Sequence, residues 1–297
     1  MTQDNSYPGV TVSLLKGGVG KSTIALNVAD QLSKKGNDVV LVDLDMDGHM
    51  TTQLGYYDEF ENGAGLGEVL FGDKEAEELL IETDFGVSLF PSNTQMESTQ
   101  DQVKNSPLPN TAIANGVLDP LYEAGYDYFV VDAPGQRGKL SDNALIGTQR
   151  LIIPLTPGAG SINGLMKMMD RQIKPLDQRV GIDILAITPN RIQKTMNQRN
   201  QHRILVENIN KRFGQYVPEY ARIEDEVFDA LDANTVSEYP KPGIRERGSI
   251  TKAFKDGLPV SEYDPECDQI SVFRELAEVV IERSPNKPQD STDQLEQ

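Results

Sequence analysis

Residues 15–23, LKGGVGKST, contain most of the phosphate-binding pattern G-x-x-x-x-G-K-[ST]. In such a loop, glycines let the backbone fold around the phosphates, and N–H groups at the start of the next helix face the anion. The expected backbone contacts are Gly17, Gly18, Val19 and Gly20. A glycine-rich turn that binds nothing is the alternative. The position of the stretch, between an apolar run and a helical pattern, favours the phosphate loop.

Three side chains after the glycines complete the predicted site. Lys21 is expected to contact the β and γ phosphates, Ser22 to bind Mg²⁺ through its hydroxyl, and Thr23 to reach the α phosphate. The pattern therefore predicts a nucleoside triphosphate with Mg²⁺. Two positions depart from it, because Leu15 replaces the first glycine and Lys16 adds a second cation.

The elements that must position these residues alternate along the chain. Apolar runs typical of buried strands occur at 9–15, 38–45, 86–92, 126–134, 150–157 and 182–190. Helical patterns are found at 22–36, 162–177, 196–213 and 270–284. This alternation predicts an α/β fold with a doubly wound, mostly parallel β-sheet and helices on both faces. We expect one domain over residues 1–284 and a disordered polar tail at 285–297.

Four segments together resemble the ParA/MinD class of deviant Walker A P-loop ATPases, and ParA most closely. They are KGGVGKS at 16–22, DLDMDGHMT at 43–51, DAPGQ at 132–136 and GLPVSEYDP at 257–265. In this class the early lysine reaches across a dimer interface to the ATP of the other subunit, where a cation offsets the charge of the transferring phosphoryl group. The resemblance implies that Lys16 and Lys21 are catalytic and that ATP closes a sandwich dimer.

The resemblance also gives roles to acidic residues at two strand ends. Asp45 takes the position that orients or activates the attacking water. The expected magnesium site comprises Ser22, Asp45 and Asp132, with carboxylates reaching the metal or its water shell. The chain departs from the family pattern at Met46, Asp47, His49 and Gly135. Asp47 is either a further metal ligand or a solvated side chain, and no chemistry is assigned to His49.

Residues near the last predicted strand are expected to hold the adenine base. Asn190, in ITPNRI at 187–192, is a candidate hydrogen-bond partner for adenine. The loop YPKPGIRERG at 239–248 resembles the family segment that flanks the base, which places Pro242 and Ile244 beside it.

The chain is strongly acidic, with 46 Asp and Glu against 28 Lys and Arg and a formal net charge of −18. This charge indicates either a highly solvated surface or adaptation to a salty cytoplasm. Two basic clusters, at 191–212 and 241–255, stand out against it, and the resemblance implies non-specific DNA binding by the ATP-bound dimer. The predicted DNA contacts are Arg191, Arg199, Arg203, Arg245 and Arg247. The alternative for the first cluster is an ordinary solvated helix face.

The first cluster predicts an amphipathic helix. Arg199 and Arg203 are one turn apart, and the apolar side opposite them would carry Ile204, Leu205 and Ile209.

The chain shows no signal sequence and no apolar run long enough to cross a membrane, so we expect a cytoplasmic protein. The DNA binding that the resemblance implies would associate it with the nucleoid. Its single cysteine excludes an internal disulfide and a paired-cysteine cluster.

The predicted function is a ParA-type ATPase that segregates a plasmid or chromosome, or positions another cargo, with hydrolysis stimulated by a ParB-like or other adaptor. The alternative is a MinD-like membrane-associated ATPase that positions the division site. The polar end, SPNKPQDSTDQLEQ, counts against the basic amphipathic helix that this alternative needs.

Overall fold

Eight strands form one sheet in the part of the chain that the computed structural model describes, which is residues 6–158, 160–193, 201–236 and 240–285. The strands are β1 (Gly9–Val12), β2 (Val39–Asp43), β3 (Ile81–Glu82), β4 (Ser88–Phe90), β5 (Tyr128–Asp132), β6 (Arg150–Leu155), β7 (Asp183–Ile192) and β8 (Ile244–Arg245). Their spatial order is β3-β4-β2-β5-β1-β6-β7-β8. Every neighbouring pair is parallel except β3 with β4, which confirms the predicted mostly parallel sheet.

Helices cover the sheet. The α-helices in the described ranges are α1 (Lys21–Ser33), α2 (His49–Gln53), α3 (Tyr57–Asn62), α4 (Leu66–Phe71), α5 (Met96–Asn105), α6 (Asp119–Glu123), α7 (Lys139–Thr148), α8 (Ser161–Met168), α9 (Lys174–Val180), α10 (Gln201–Phe213), α11 (Asp225–Asp232), α12 (Gly248–Lys255), α13 (Val260–Tyr263) and α14 (Ile270–Arg283). Shorter 3₁₀ and π-helical segments lie at Ala76–Leu79, Ala114–Leu118, Met169–Ile173, Gly214–Tyr216 and Glu219–Ala221.

Both faces of the sheet are buried. Successive side chains of a strand point to opposite faces, so a strand in the middle of a sheet needs an apolar cover on each side. Along β2, Val39 and Leu41 pack into the core that contains α1 and α14, whereas Val40 and Val42 pack into the core that contains α5, α6 and α7. A third core joins β6 and β7 to helices α8–α11. The doubly wound arrangement follows from this pattern.

The strand ends meet at one edge of the sheet. Asp43 of β2 and Val12 of β1 are each paired with Asp132 of β5. The chain leaves β1 directly into the glycine loop, which ends where α1 begins. Ligands of open parallel sheets bind outside the carboxyl ends of the strands, so this edge is the place to look for the site.

Helix α1, which carries the end of the phosphate loop, is fixed at several points. Its apolar side is buried against the sheet and α14. The Asn27 side-chain oxygen accepts the Val260 N–H at 2.8 Å, and the fully buried Asp30 carboxylate accepts the Ser261 hydroxyl at 2.6 Å and pairs with Lys34 at 2.9 Å. These contacts attach the middle and the end of α1 to α13.

Candidate nucleotide-binding site

The glycine loop has a backbone that only glycine adopts without strain. Gly20 has a φ of 90°, and a Cβ atom there would lie 2.3 Å from the side-chain nitrogen of Asn190. Gly18 also has a positive φ, of 72°. L-residues with side chains rarely adopt this region. The loop therefore brings its N–H groups and the first turn of α1 to one place, as a phosphate site requires.

Asn190 braces this loop. Its side-chain N–H donates to the Val19 carbonyl at 2.8 Å, and its side-chain oxygen accepts the Arg191 N–H at 2.8 Å. Asn190 is only 6% exposed and does not line the cavity described below. One N–H and the oxygen of this amide therefore have partners within the chain, and the contact with adenine stays a prediction.

The two predicted neighbours of the base also lie elsewhere. Ile244 is 2% exposed and packs in the core with α1 and α14, where it pairs with Asn190 across β7 and β8. Pro242 is buried as well. Neither residue lines the cavity. The prediction that they flank the base is therefore not supported in this conformation.

A cavity of about 660 Å³ opens beside the loop at the carboxyl edge of the sheet. This volume falls within the range of small-molecule and cofactor pockets. Its lining includes most of the residues predicted from the pattern: Gly17, Gly18, Gly20, Lys21, Ser22, Thr23 and Asp45. Val19 is instead buried in the core, at 1% exposed.

The two lysines of the loop occupy different environments. Lys21 is 6% exposed and lines the cavity, with its ammonium group close to Gly135, where a Cβ atom would lie 3.4 Å away. Lys16 is exposed and does not line the cavity. Within the described ranges, its side chain makes no hydrogen bond or ion pair. One lysine therefore serves the chain's own cavity, and the other is available to a second molecule.

A hydrogen-bond network fixes Asp45. The buried Asp43 carboxylate accepts the Asp45 N–H at 3.0 Å, the Thr51 N–H at 2.9 Å and the Thr51 hydroxyl at 2.7 Å. The Ser92 hydroxyl donates to the Asp45 carbonyl at 2.7 Å. The backbone of Asp45 is thus held on both sides while its carboxylate lines the cavity. This is the geometry that positioning of a water or a cation requires.

Asp132 is the least satisfied polar group near the cavity. It is fully buried, and neither of its oxygens has a hydrogen-bond partner in the part of the chain that the structure describes. Burial raises the pKa of Asp132 to about 8, helped by the charge of Asp43, while Lys21 opposes the shift. Burial also raises the pKa of Asp43. The Ser22 hydroxyl is near enough to oppose the rise in this pKa, but it makes no hydrogen bond of ordinary geometry to Asp132. A buried carboxylate with so little hydrogen bonding, beside a hydroxyl, fits a site for a divalent cation.

The raised pKa of Asp132 predicts a pH dependence of stability in the metal-free, nucleotide-free protein. Between the ordinary aspartate value, near pH 4, and about pH 8, the folded state holds a proton that the unfolded state has lost. The free energy of unfolding should therefore fall as the pH rises through this window. Asp132→Asn removes the ionisation, so its melting temperature at pH 8 should exceed that of the wild type by at least ~2 °C.

Thermal melts in EDTA from pH 4.5 to pH 8.5 measure this slope. Asp73→Asn, which changes an exposed aspartate, serves as the matched control. Its melting temperature should change with pH as that of the wild type does. If Asp132→Asn retained the full wild-type slope, the buried carboxyl would not be the titrating group.

Several cavity residues were missed by the sequence analysis or given another role. The lining also contains Met46, Asp47, His49, Thr94, Glu97, Pro134, Gly135, Gln136, Arg191 and Phe254. Arg191 was predicted to contact DNA, but it lies on the cavity wall with a φ of 56°, which is strained for a residue with a side chain. The signal that could have placed it there is its position directly after Asn190, at the end of β7.

The predicted DNA contact Arg203 is paired within the chain. It is 5% exposed, forms two hydrogen bonds to the Asp232 carboxylate at 2.6 and 2.9 Å, and lies over the Phe228 ring. The predicted apolar side of this helix is wrong at Ile204, which is 48% exposed. The helix therefore buries Arg203 and exposes Ile204, whereas Leu205 and Ile209 are buried as predicted. Arg199 lies outside the described residues.

The two arginines of the second basic cluster are paired in the structure. Arg247 forms a two-pronged ion pair with Asp268, with one bond of 2.8 Å, and Arg245 lies 3.9 Å from the same carboxylate. This pairing lowers the pKa of Asp268 to about 2. Arg245 is 7% exposed, and its backbone N–H donates to Gln269 at 2.7 Å. In this conformation Asp268 holds both arginines.

None of the helices in the described ranges is both long enough and apolar enough to cross a membrane.

Comparison with known proteins agrees with this geometry. A sequence profile described as an AAA domain matches residues 9–186. The chain is 28% identical over 281 residues to an uncharacterized protein of Methanocaldococcus jannaschii, covering 92% of this chain and 98% of that one. It is 23% identical over 272 residues to the chromosome partitioning protein ParA of Caulobacter vibrioides, covering 90% and 91%.

A solved structure shares the fold. Apo McdA from Cyanothece superimposes with a TM-score of 0.70 at 20% identity, covering 93% of this chain and 98% of that one. The AAA domain profile matches more than half of the chain and includes the phosphate loop, Asp45 and Asp132. The chain therefore belongs to this AAA domain family and is a P-loop ATPase of the ParA/MinD class.

Proposed function

We propose that this chain is a ParA-type ATPase that forms an ATP-dependent sandwich dimer, binds DNA non-specifically and segregates DNA or positions another cargo. A ParB-like or other adaptor would stimulate hydrolysis. The observation that carries the proposal is the contrast between the two lysines of the loop. Lys21 lies in its own cavity, while the exposed Lys16 has no partner within the described ranges. Such a lysine could contact the nucleotide that a second subunit binds.

Each part of the cavity has a role in this proposal. The loop N–H groups and Lys21 bind the phosphates, and Ser22 and Asp132 hold Mg²⁺, which when bound offsets phosphate charge. Asp45, whose backbone Asp43 and Ser92 fix, orients the attacking water. The partner's Lys16 adds positive charge where the transferring phosphoryl group develops negative charge. Hydrolysis is therefore coupled to dimerisation.

The ion pair at Asp268 suggests how DNA binding is controlled. In the structure, one carboxylate occupies the two arginines that the sequence predicts as DNA contacts. A DNA phosphate can take the place of this carboxylate, because arginine binds either group through the same parallel hydrogen bonds. We infer that DNA must displace Asp268 from Arg247 and Arg245. The exposed position of Asp268 makes this exchange possible.

Charge variants of this cluster test DNA binding. Arg245→Glu with Arg247→Glu should weaken ATP-dependent retention of DNA and reduce the slope of log affinity against log salt by about 2, one for each lost phosphate contact. Asp268→Asn should strengthen retention, because it removes the competing charge. Mobility shifts with ATP, ADP or no nucleotide, at several salt concentrations, measure both effects.

Glu266→Gln is the matched control, since it removes an equal charge from an exposed residue two positions away. It should bind DNA more weakly than Asp268→Asn. Retention that is unchanged in the double arginine variant across the salt series would remove this cluster from the DNA interface.

A further inference from the structure

Three potential metal ligands meet on the cavity wall at the start of α2. Asp45, Asp47 and His49 each offer one ligand atom, and these atoms all lie within 4.8 Å of one another. We call these residues the strand-end cluster. Gly48 brings them together by a turn with a φ of 54°, where a Cβ atom would lie 2.2 Å from the Phe60 ring. The turn is thus closely packed, although Asp47 and His49 are exposed.

The ligand atoms of the cluster are available. One oxygen of Asp45 accepts the Asp47 N–H at 3.2 Å, and the other has no hydrogen bond within the described ranges. In the same ranges, neither the Asp47 carboxylate nor the His49 ring forms a hydrogen bond or an ion pair. Metal–ligand distances of about 2.0–2.2 Å place donor atoms up to about 4 Å apart. Small side-chain rotations would therefore close the cluster around an ion.

The charge around the cavity gives an independent reason to expect a second cation. Three carboxylates line the cavity, those of Asp45, Asp47 and Glu97, and a triphosphate would add to their negative charge. Lys21 and Arg191, which also line the cavity, and one Mg²⁺ balance only part of this charge. Unbalanced charge in a partly buried site is costly.

We propose that the strand-end cluster binds a divalent metal ion of the first-row series from Mn²⁺ to Zn²⁺. This ion would be bound in addition to the Mg²⁺ that accompanies ATP. The histidine decides the class of ion. An imidazole nitrogen is a good ligand for transition metals such as zinc and iron. Mg²⁺ instead prefers oxygen ligands and retains several of its bound waters. Bound here, the ion would occupy the Asp45 carboxylate and slow hydrolysis. This last consequence rests on the proposed function, since it needs Asp45 to act on the attacking water.

Cobalt absorption tests the site without nucleotide. Co²⁺ is titrated into the metal-free, full-length protein, and the visible bands are followed in the presence of excess Mg²⁺. The wild type should bind one ion per chain. Asp47→Asn and His49→Asn should each weaken binding by about 10-fold or more. His202→Asn, which changes the other of the two histidines in the chain, is the control and should bind like the wild type.

Equal Co²⁺ binding by His49→Asn and the wild type would overturn the site, as would loss of binding in His202→Asn. Zn²⁺ inhibition of hydrolysis tests the consequence, with each variant compared with its own rate without zinc. The wild type should be inhibited, and His49→Asn should be resistant. A protein that binds Co²⁺ through the cluster but never hydrolyses ATP would overturn the proposed function alone.

Discussion

Lys16→Ala is expected to reduce adaptor- and DNA-stimulated ATP hydrolysis by at least ~10²-fold while nucleotide binding is largely retained. The reason is the position of Lys16, which is exposed and lies outside the cavity of its own chain. A cation supplied by a partner stabilises the charge of the transferring phosphoryl group, as an arginine finger does. An arginine finger increases the hydrolysis rate by about 10³–10⁵-fold. Lys104→Ala, which changes another exposed lysine, should keep the wild-type rate. Phosphate release and fluorescent-nucleotide titration measure the two quantities.

Mixing two inactive variants tests the role in trans directly. In a mixed dimer of Lys16→Ala with Asp45→Asn, one cavity has both an intact Asp45 and the partner's Lys16. An equal mixture should recover about a quarter of the wild-type rate, because half of the dimers are mixed and one of their two sites is complete. A mixture as inactive as its components would show that Lys16 acts within its own chain or not at all. Full hydrolysis by Lys16→Ala alone would also contradict the account.

Asp45→Asn should lower hydrolysis by about 10²–10⁴-fold, the usual contribution of a positioned acid–base group. Asparagine fits the same space, and the contacts of the Asp45 backbone with Asp43 and Ser92 do not involve the changed group. The loop and Lys21 are untouched, so ATP should still bind. Single-turnover hydrolysis and ATP titration separate the two effects.

Asp58→Asn is the control for this variant, because Asp58 is an exposed carboxylate on α3 that does not line the cavity. Rapid hydrolysis by Asp45→Asn would transfer the water-orienting role to another group.

Local sequence patterns predicted the parts of the molecule that depend on neighbours in the chain. The glycine loop needs only backbone freedom, and the strand before it and the helix after it need only apolar residues at the right spacing. The pattern places all three elements in the regions where the structure has them. The family resemblance pointed to Asp45 and Asp132, and both lie at the carboxyl edge of the sheet, where parallel strands end together.

Tertiary contacts are what the local patterns could not predict. Arg203 seemed free for DNA because its partner, Asp232, is 29 positions away in another helix. Asn190 seemed free for adenine because its bond to Val19 joins residues 171 positions apart. Sequence spacing does not reveal pairs between residues that are far apart in the chain. A polar residue that is predicted to be free on the surface can therefore be hydrogen-bonded to another part of the protein.

The most direct measurement is the solution mass of Asp45→Asn with saturating Mg²⁺ and ATP, by light scattering or sedimentation. The proposed mechanism predicts twice the monomer mass of 32.8 kDa, with a return toward the monomer in ADP. A hydrolysis-blocked protein that remained a monomer with every site filled by ATP would contradict it.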